Sequence, residues 1–341
     1  KSHIDLVEQF NYHDKPDSMI AHANKALEIS LKHLGDTNLL TASSYYSLGR
    51  CLVENYKMTD AIFNLERALD IYLDLQDPDH PDLLRVYRQL GLSFMRLNDG
   101  ENCTAIFLKI LDILLRTKGE YSTEVVQTYN NLGNCSKPLA EFERGLNYFE
   151  KALAIALEIF DGANHTLAQT YLNIGIMYGY AGKQDLELAY LLKANAMQRE
   201  LYGVNHSAVA FTYNRIGKHY SNVGDYNNAL VYLEKALTIN STLMGEINPN
   251  LAEYYMNLCE MYSELRIFNK ALEYGEKALE IRLAVFGEGH YRVGKSYSKL
   301  AEVFYETGRY TIALNYYSRA LNNFTKENKL SSAILVVNYY T

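Results

Sequence analysis

Between Val209 and Asn240 the apolar positions fall into two helical stripes separated by a break. Tyr213, Ile216, Gly217 and Tyr220 recur at i, i+3, i+4 and i+7, the spacing of one face of an α-helix. Gly224-Asp225 interrupts the pattern. Ala229, Leu233, Ala236 and Leu237 then form a second stripe. The stretch predicts two helices joined by a tight turn. Gly217, Ala229 and Ala236 are small enough to let their backbones approach closely.

The same pattern recurs in steps of 42 residues. Tyr45, Tyr87, Tyr129, Tyr171, Tyr213, Tyr255, Tyr297 and Tyr339 form one series. Four residues further on, Gly49, Gly91, Gly133, Gly175, Gly217, Cys259 and Ala301 are all small. In the second helix Ala26, Ala68, Ile110, Ala152, Ala194, Ala236, Ala278 and Ala320 depart from alanine once. A register held without insertion is the mark of a solenoid array. Residues 1–341 therefore read as one array. Partial repeat 1–40 comes first, complete repeats start at about 41, 81, 122, 164, 206, 248 and 290, and a partial first helix spans 330–341. Lys1 in place of Met and the unpaired last helix suggest a piece of a longer protein.

A small residue four after an aromatic, a Gly turn (Gly182, Gly224, Gly308) and an Ala-rich second helix together resemble the tetratricopeptide repeat. The common form has about 34 residues. The connections Asp79-His80-Pro81-Asp82, Leu201–His206 and Phe286-Gly287-Glu288-Gly289-His290 look like the 42-residue repeat of kinesin light chains. The resemblance implies an all-α, right-handed superhelical solenoid of helix-turn-helix repeats. It also implies a concave groove lined by the first helices, in which such arrays hold a peptide of a partner protein.

Composition fits this expectation and narrows the partner. An apolar fraction of 48% supports a continuous core. A net charge of −7 argues against a nucleic-acid partner, and no apolar run approaches the roughly 18 residues of a membrane span. Cys51, Cys103, Cys135 and Cys259 fall at small core positions with no CxxC pair. They read as reduced thiols of a cytoplasmic protein. No HExxH, GxxxxGK[ST], GxSxG or GxGxxG occurs, so no enzyme, metal or cofactor is expected. His80, His206 and His290 recur at one place in the connection, where a cap for the next helix is expected.

Helix phase selects the residues that would line the groove. The early repeats present Arg50, Arg85, Arg88, Gln89 and Arg96. The middle presents Asn130, Asn131, Asn134, Asn173, Asn214, Arg215 and Lys218. The late repeats present Asn257 with Glu253, Glu260, Glu264, Glu302 and Glu306. Solvated helix faces would look similar. Asn is a mediocre helix former, however, and its carboxamide can bond both N–H and C=O of an extended peptide. The arginines suggest an acidic ligand segment. The third repeat departs from the pattern: Ser136 stands where others carry a bulky residue, Pro138 follows, and Ala140 replaces the turn glycine. The helix should end early there, or kink and widen the groove. A regulatory or sensor domain of a larger protein and a self-association module remain the alternatives to a peptide-binding scaffold.

Overall fold

The two apolar stripes of a period bury against each other as a helix pair. The computed structural model describes residues 16–243 and 248–326, and every regular element among them is an α-helix. In chain order these are α1 (Pro16–Leu34), α2 (Leu39–Glu54), α3 (Met58–Leu75), α4 (Pro81–Arg96) and α5 (Gly100–Lys118). Next come α6 (Thr123–Cys135), α7 (Phe142–Ile159), α8 (His165–Tyr180), α9 (Gln184–Tyr202) and α10 (Ser207–Asn222). The last are α11 (Tyr226–Leu243), α12 (Pro249–Glu264), α13 (Phe268–Phe286), α14 (Tyr291–Glu306) and α15 (Tyr310–Lys326). The helical pieces expected in 1–15 and 330–341 lie outside the described residues. Contacts divide the chain into two units between Ala181 and Gly182. In the first unit α2 packs on α3, α4 on α5 and α6 on α7, with α8 against α7 and α6. In the second, α10 packs on α11, α12 on α13 and α14 on α15, and α9 lies against α10.

Close approach within a pair depends on one small residue meeting one large one. A Cβ added to Gly217 would lie 2.7 Å from Leu233 Cγ and 3.2 Å from the Ala229 carbonyl oxygen. In the α12–α13 pair the sizes are exchanged. Cys259 takes the glycine position, and a Cβ on the facing Gly275 would come 3.0 Å from its Sγ. Interiors packed to this density tolerate neither side growing alone.

Six first helices start on a polar cap at one repeat position. Asn38, Ser122 and Asn164 accept a backbone N–H through side-chain oxygen. His80, His206 and His290 do so through Nδ1, from Asp82, Ala208 and Arg292 at 3.3, 3.2 and 3.1 Å. The histidines therefore cap helices, satisfying amides that the helix leaves unpaired. The tyrosine series belongs to the helix-pair interface: Tyr87 and Tyr297 are buried, while Tyr129, Tyr213 and Tyr255 are half-buried. A cation from the second helix lies over each ring. These are Lys109, Lys151, Lys235, Lys277 and Arg319, at 5.6, 5.9, 5.8, 5.9 and 4.2 Å from the ring centres.

Candidate functional site

In the first unit, α2, α4, α6 and α8 carry the residues that helix phase assigned to a groove. Arg85 and Arg88 on α4 are exposed. Arg85 lies 5.0 Å over the Tyr46 ring of α2 and 3.3 Å from Asp82. Arg96 donates to the Val53 carbonyl at 2.7 Å, tying α4 to α2, and Arg50 on α2 is half-buried. Arg88 adds positive potential near Glu124. The carboxyl of Glu124 is held below its ordinary range first by a hydrogen bond from Lys118.

The asparagines separate into two groups. Asn130, Asn173 and Asn214 are 5, 5 and 4% exposed, deeper than helix phase suggested. Asn130 Nδ2 donates to Thr170 Oγ1 at 2.8 Å, Asn173 Nδ2 to Asn130 Oδ1 at 3.3 Å, and Gln169 Nε2 to Asn173 Oδ1 at 3.0 Å. This chain of amides joins α6 to α8. In the second unit, Asn257 Nδ2 donates to Asn214 Oδ1 at 2.8 Å and joins α12 to α10. Their carboxamides are thus engaged with one another, as buried polar groups must be. Asn131 and Asn134 are half-buried on the same helix face. A spacing of 43, shared by Asn130–Asn173 and Asn214–Asn257, is the sequence signal of these bonded pairs. One position in a repeat bonds the following position in the next.

α6 is 13 residues long, whereas the other first helices have 16. Pro138 has no N–H for the Asn134 carbonyl, so the helix ends at Cys135. A cavity of about 420 Å³ opens at this end, lined by Met95, Asn98, Asp99, Cys103, Asn134, Cys135, Lys137, Pro138 and Tyr180. Lys137 Nζ donates to Asn134 Oδ1 at 2.6 Å. The expectation of four reduced cysteines is corrected here. Cys103 and Cys135 are joined in a disulfide with their Cα atoms 5.7 Å apart, and only Cys51 and Cys259 remain free and buried.

In the second unit, Arg215 on α10 stacks 4.9 Å over Phe211, and its buried Nε makes no hydrogen bond. Lys218 is exposed. Further along, a cavity of about 360 Å³ is lined by Ser263, Glu264, Arg266, Lys299, Glu302, Tyr305, Glu306 and Tyr317. Burial opposes the charge of Lys299, but Glu302 at 2.8 Å and Glu260 at 3.4 Å outweigh it and raise its pKa. The two cavities therefore differ in character. The first sets Asn98, Asn134, Asp99 and Lys137 among apolar side chains, and the second sets Glu264, Glu302 and Glu306 against Arg266 and Lys299.

A family model described as tetratricopeptide repeat matches residues 124–200 and 250–326, and a second model of the same repeat matches 212–243. No curated protein sequence matches the chain. Among solved structures, a Rap protein complexed with Competence and Sporulation Factor shares 17% identity over 96% of this chain and 84% of its own, with a TM-score of 0.65. The Rap conjugation gene regulator of the plasmid pLS20, in complex with the Phr* peptide, shares 14% identity over 96% and 89%, with a TM-score of 0.63. A putative kinesin light chain from Podosopora anserina shares 14% over 59% and 94%, with a TM-score of 0.54. At these identities the likeness establishes the fold. No described helix is long and apolar enough to cross a membrane.

Proposed function

The chain belongs to the tetratricopeptide repeat family, and we propose that it is a non-enzymatic interaction scaffold that holds a peptide segment of a partner protein along its first helices. The observation that carries this reading is the face of α4 and α6. There the exposed Arg85 and Arg88 lie one repeat from the half-buried Asn131 and Asn134, and Asn134 lines the cavity of about 420 Å³. The carboxamides can bracket a peptide backbone, and the guanidinium groups suit carboxylates. Asn257, Arg215 and Lys218 would serve the same ligand class in the second unit. Asn130, Asn173 and Asn214 would act indirectly, by holding neighbouring first helices in register. The Rap structures with bound Competence and Sporulation Factor and Phr* support a peptide ligand. The likeness to a conjugation gene regulator also favours a second reading, in which the array is the sensing part of a larger regulator. A cytoplasmic location belongs to the same proposal.

The test begins with a random peptide display library. Selected peptides should be enriched in Asp and Glu, and calorimetry should show that Arg85→Ala with Arg88→Ala weakens them at least about tenfold, the loss of one charge-assisted contact. Asn131→Ala with Asn134→Ala should do the same, with helicity unchanged by circular dichroism. Equal affinities for wild type and both double variants would overturn the assignment.

A further inference from the structure

At one place in the period, the start of a second helix meets the end of the next first helix. The Cys103–Cys135 bond occupies this place with a separation of 32 residues. Glu187 and His219 have the same separation and the equivalent positions, with His219 Nδ1 2.8 Å from Glu187 Oε2. Elsewhere the place is filled by ordinary packing. Ala61 and Ser93 are fully buried. A Cβ on Gly145 would lie 2.5 Å from Met177 Cε. Ala229, Met261, Ala271 and Val303 share one core cluster. The joint therefore closes without a covalent bond in most repeats. At Cys103–Cys135 the bond is an added restraint rather than a condition of the fold.

Two further observations distinguish this joint. It sits where α6 loses its last turn, so the bond stands in for helix that Pro138 removes. Both cysteines also line the cavity of about 420 Å³, and at 0 and 1% exposed their sulfurs are reached from it when the joint opens. Cys51 and Cys259, equally buried, do not line the cavity. Burial pushes both thiols up, Cys259 to about 12, which leaves them poor nucleophiles.

We propose that Cys103–Cys135 is a reversible thiol–disulfide site that sets the stiffness of the α5–α6 joint, with a dithiol reductant as co-reactant. As the joint opens locally, one thiolate of the dithiol attacks a protein sulfur from the cavity side, forming a mixed disulfide and releasing the other cysteine as a thiolate that takes up a proton. The second sulfur of the dithiol then displaces the remaining cysteine. The products are two cysteine thiols and the oxidised dithiol, with two electrons passed to the protein. In the reduced state the joint relies on packing alone, as at Ala229–Met261.

The site is tested on the whole chain equilibrated with oxidised glutathione. Alkylation after unfolding should modify two thiols, Cys51 and Cys259, and four after dithiothreitol. Peptide mapping should recover the Cys103–Cys135 cross-link. Hydrogen exchange with dithiothreitol should accelerate amides at the start of α5 and the end of α6 by more than about tenfold, since a cross-link that shuts out local opening is lost. Exchange in α12 and α13 should not change. A variant carrying Cys103→Ala and Cys135→Met copies the Ala229–Met261 joint, and should fold and exchange fast with or without dithiothreitol. Four alkylatable thiols in the oxidised protein would overturn the proposal, as would α5–α6 exchange that ignores dithiothreitol. So would reduction that unfolds the whole first unit.

Discussion

Tyr56, Asn98, Ala140 and Arg266 hold φ values of 59, 58, 55 and 58°, at the turn where Gly182, Gly224 and Gly308 hold 71, 80 and 75°. The left-handed conformation is imposed by the turn's hydrogen bonds, such as Ile267 N–H to the Tyr262 carbonyl, whatever the residue. Left-handed backbone costs a residue with a Cβ about 1–2 kcal/mol, and glycine returns part of that as chain entropy. Ala140→Gly should therefore stabilise the protein by about 0.5–1 kcal/mol, seen as a higher urea midpoint with unchanged slope. Asn173 and Asn131 occupy equivalent positions yet should respond differently to truncation. Asn173→Ala strands the buried Asn130 Oδ1 and should cost about 1–3 kcal/mol. Asn131→Ala, at a half-buried site, should stay within about 0.5 kcal/mol. Denaturant titration of the two variants distinguishes joint from surface. The sequence placed both residues on the first helix. It could not separate them, because Asn131 and Asn173 hold the same repeat position and their burial depends on which residue of the preceding repeat comes opposite, Asn130 in the case of Asn173.

At the level of elements, Ser136, Pro138 and Ala140 made the early end of α6 readable, since proline removes a donor wherever it stands. The disulfide and the cavity at that end were not readable, because both depend on where α5 begins relative to α6. Gly100 shows this: a Cβ there would lie 2.7 Å from the Cys135 carbonyl oxygen and 2.6 Å from Leu139 Cγ. The repeat pattern suggests restoring the missing ring as Ser136→Tyr. The structure predicts the opposite outcome. Ser136 is 1% exposed, and a Cβ on Gly145 would already lie 3.2 Å from Ser136 Cβ and 2.5 Å from Met177 Cε. The space is filled from α8, so a ring should overpack it and cost about 1–3 kcal/mol, measurable as a lower urea midpoint. The capping histidines were readable from their spacing. His206→Ala should cost about 1 kcal/mol through the lost Ala208 N–H acceptor.

On the scale of the molecule, the period was legible because the same small and large residues must recur wherever two helices close on each other. The division between Ala181 and Gly182 was not, since that turn carries the same glycine as Gly224 and Gly308 and no shift in composition marks it. Within the second unit, helices touch mainly their sequence neighbours and the next first helix, so stability should follow a chain of nearest-neighbour terms. Gly217→Ala tests this directly. Its new Cβ would press on Leu233 and on the Ala229 backbone, which cannot move without shifting α11. The cost should be about 1–3 kcal/mol. If energy is shared only between neighbours, hydrogen exchange should accelerate in α10 and α11 and less in α12 and α13. In α14 and α15, where Tyr297, Phe304 and Tyr317 build on another core cluster while Val303 joins that of Leu233, exchange should change least. Equal acceleration across all of these helices would mean that the unit opens as one cooperative body, and that a ligand bound at one repeat stabilises every other repeat equally.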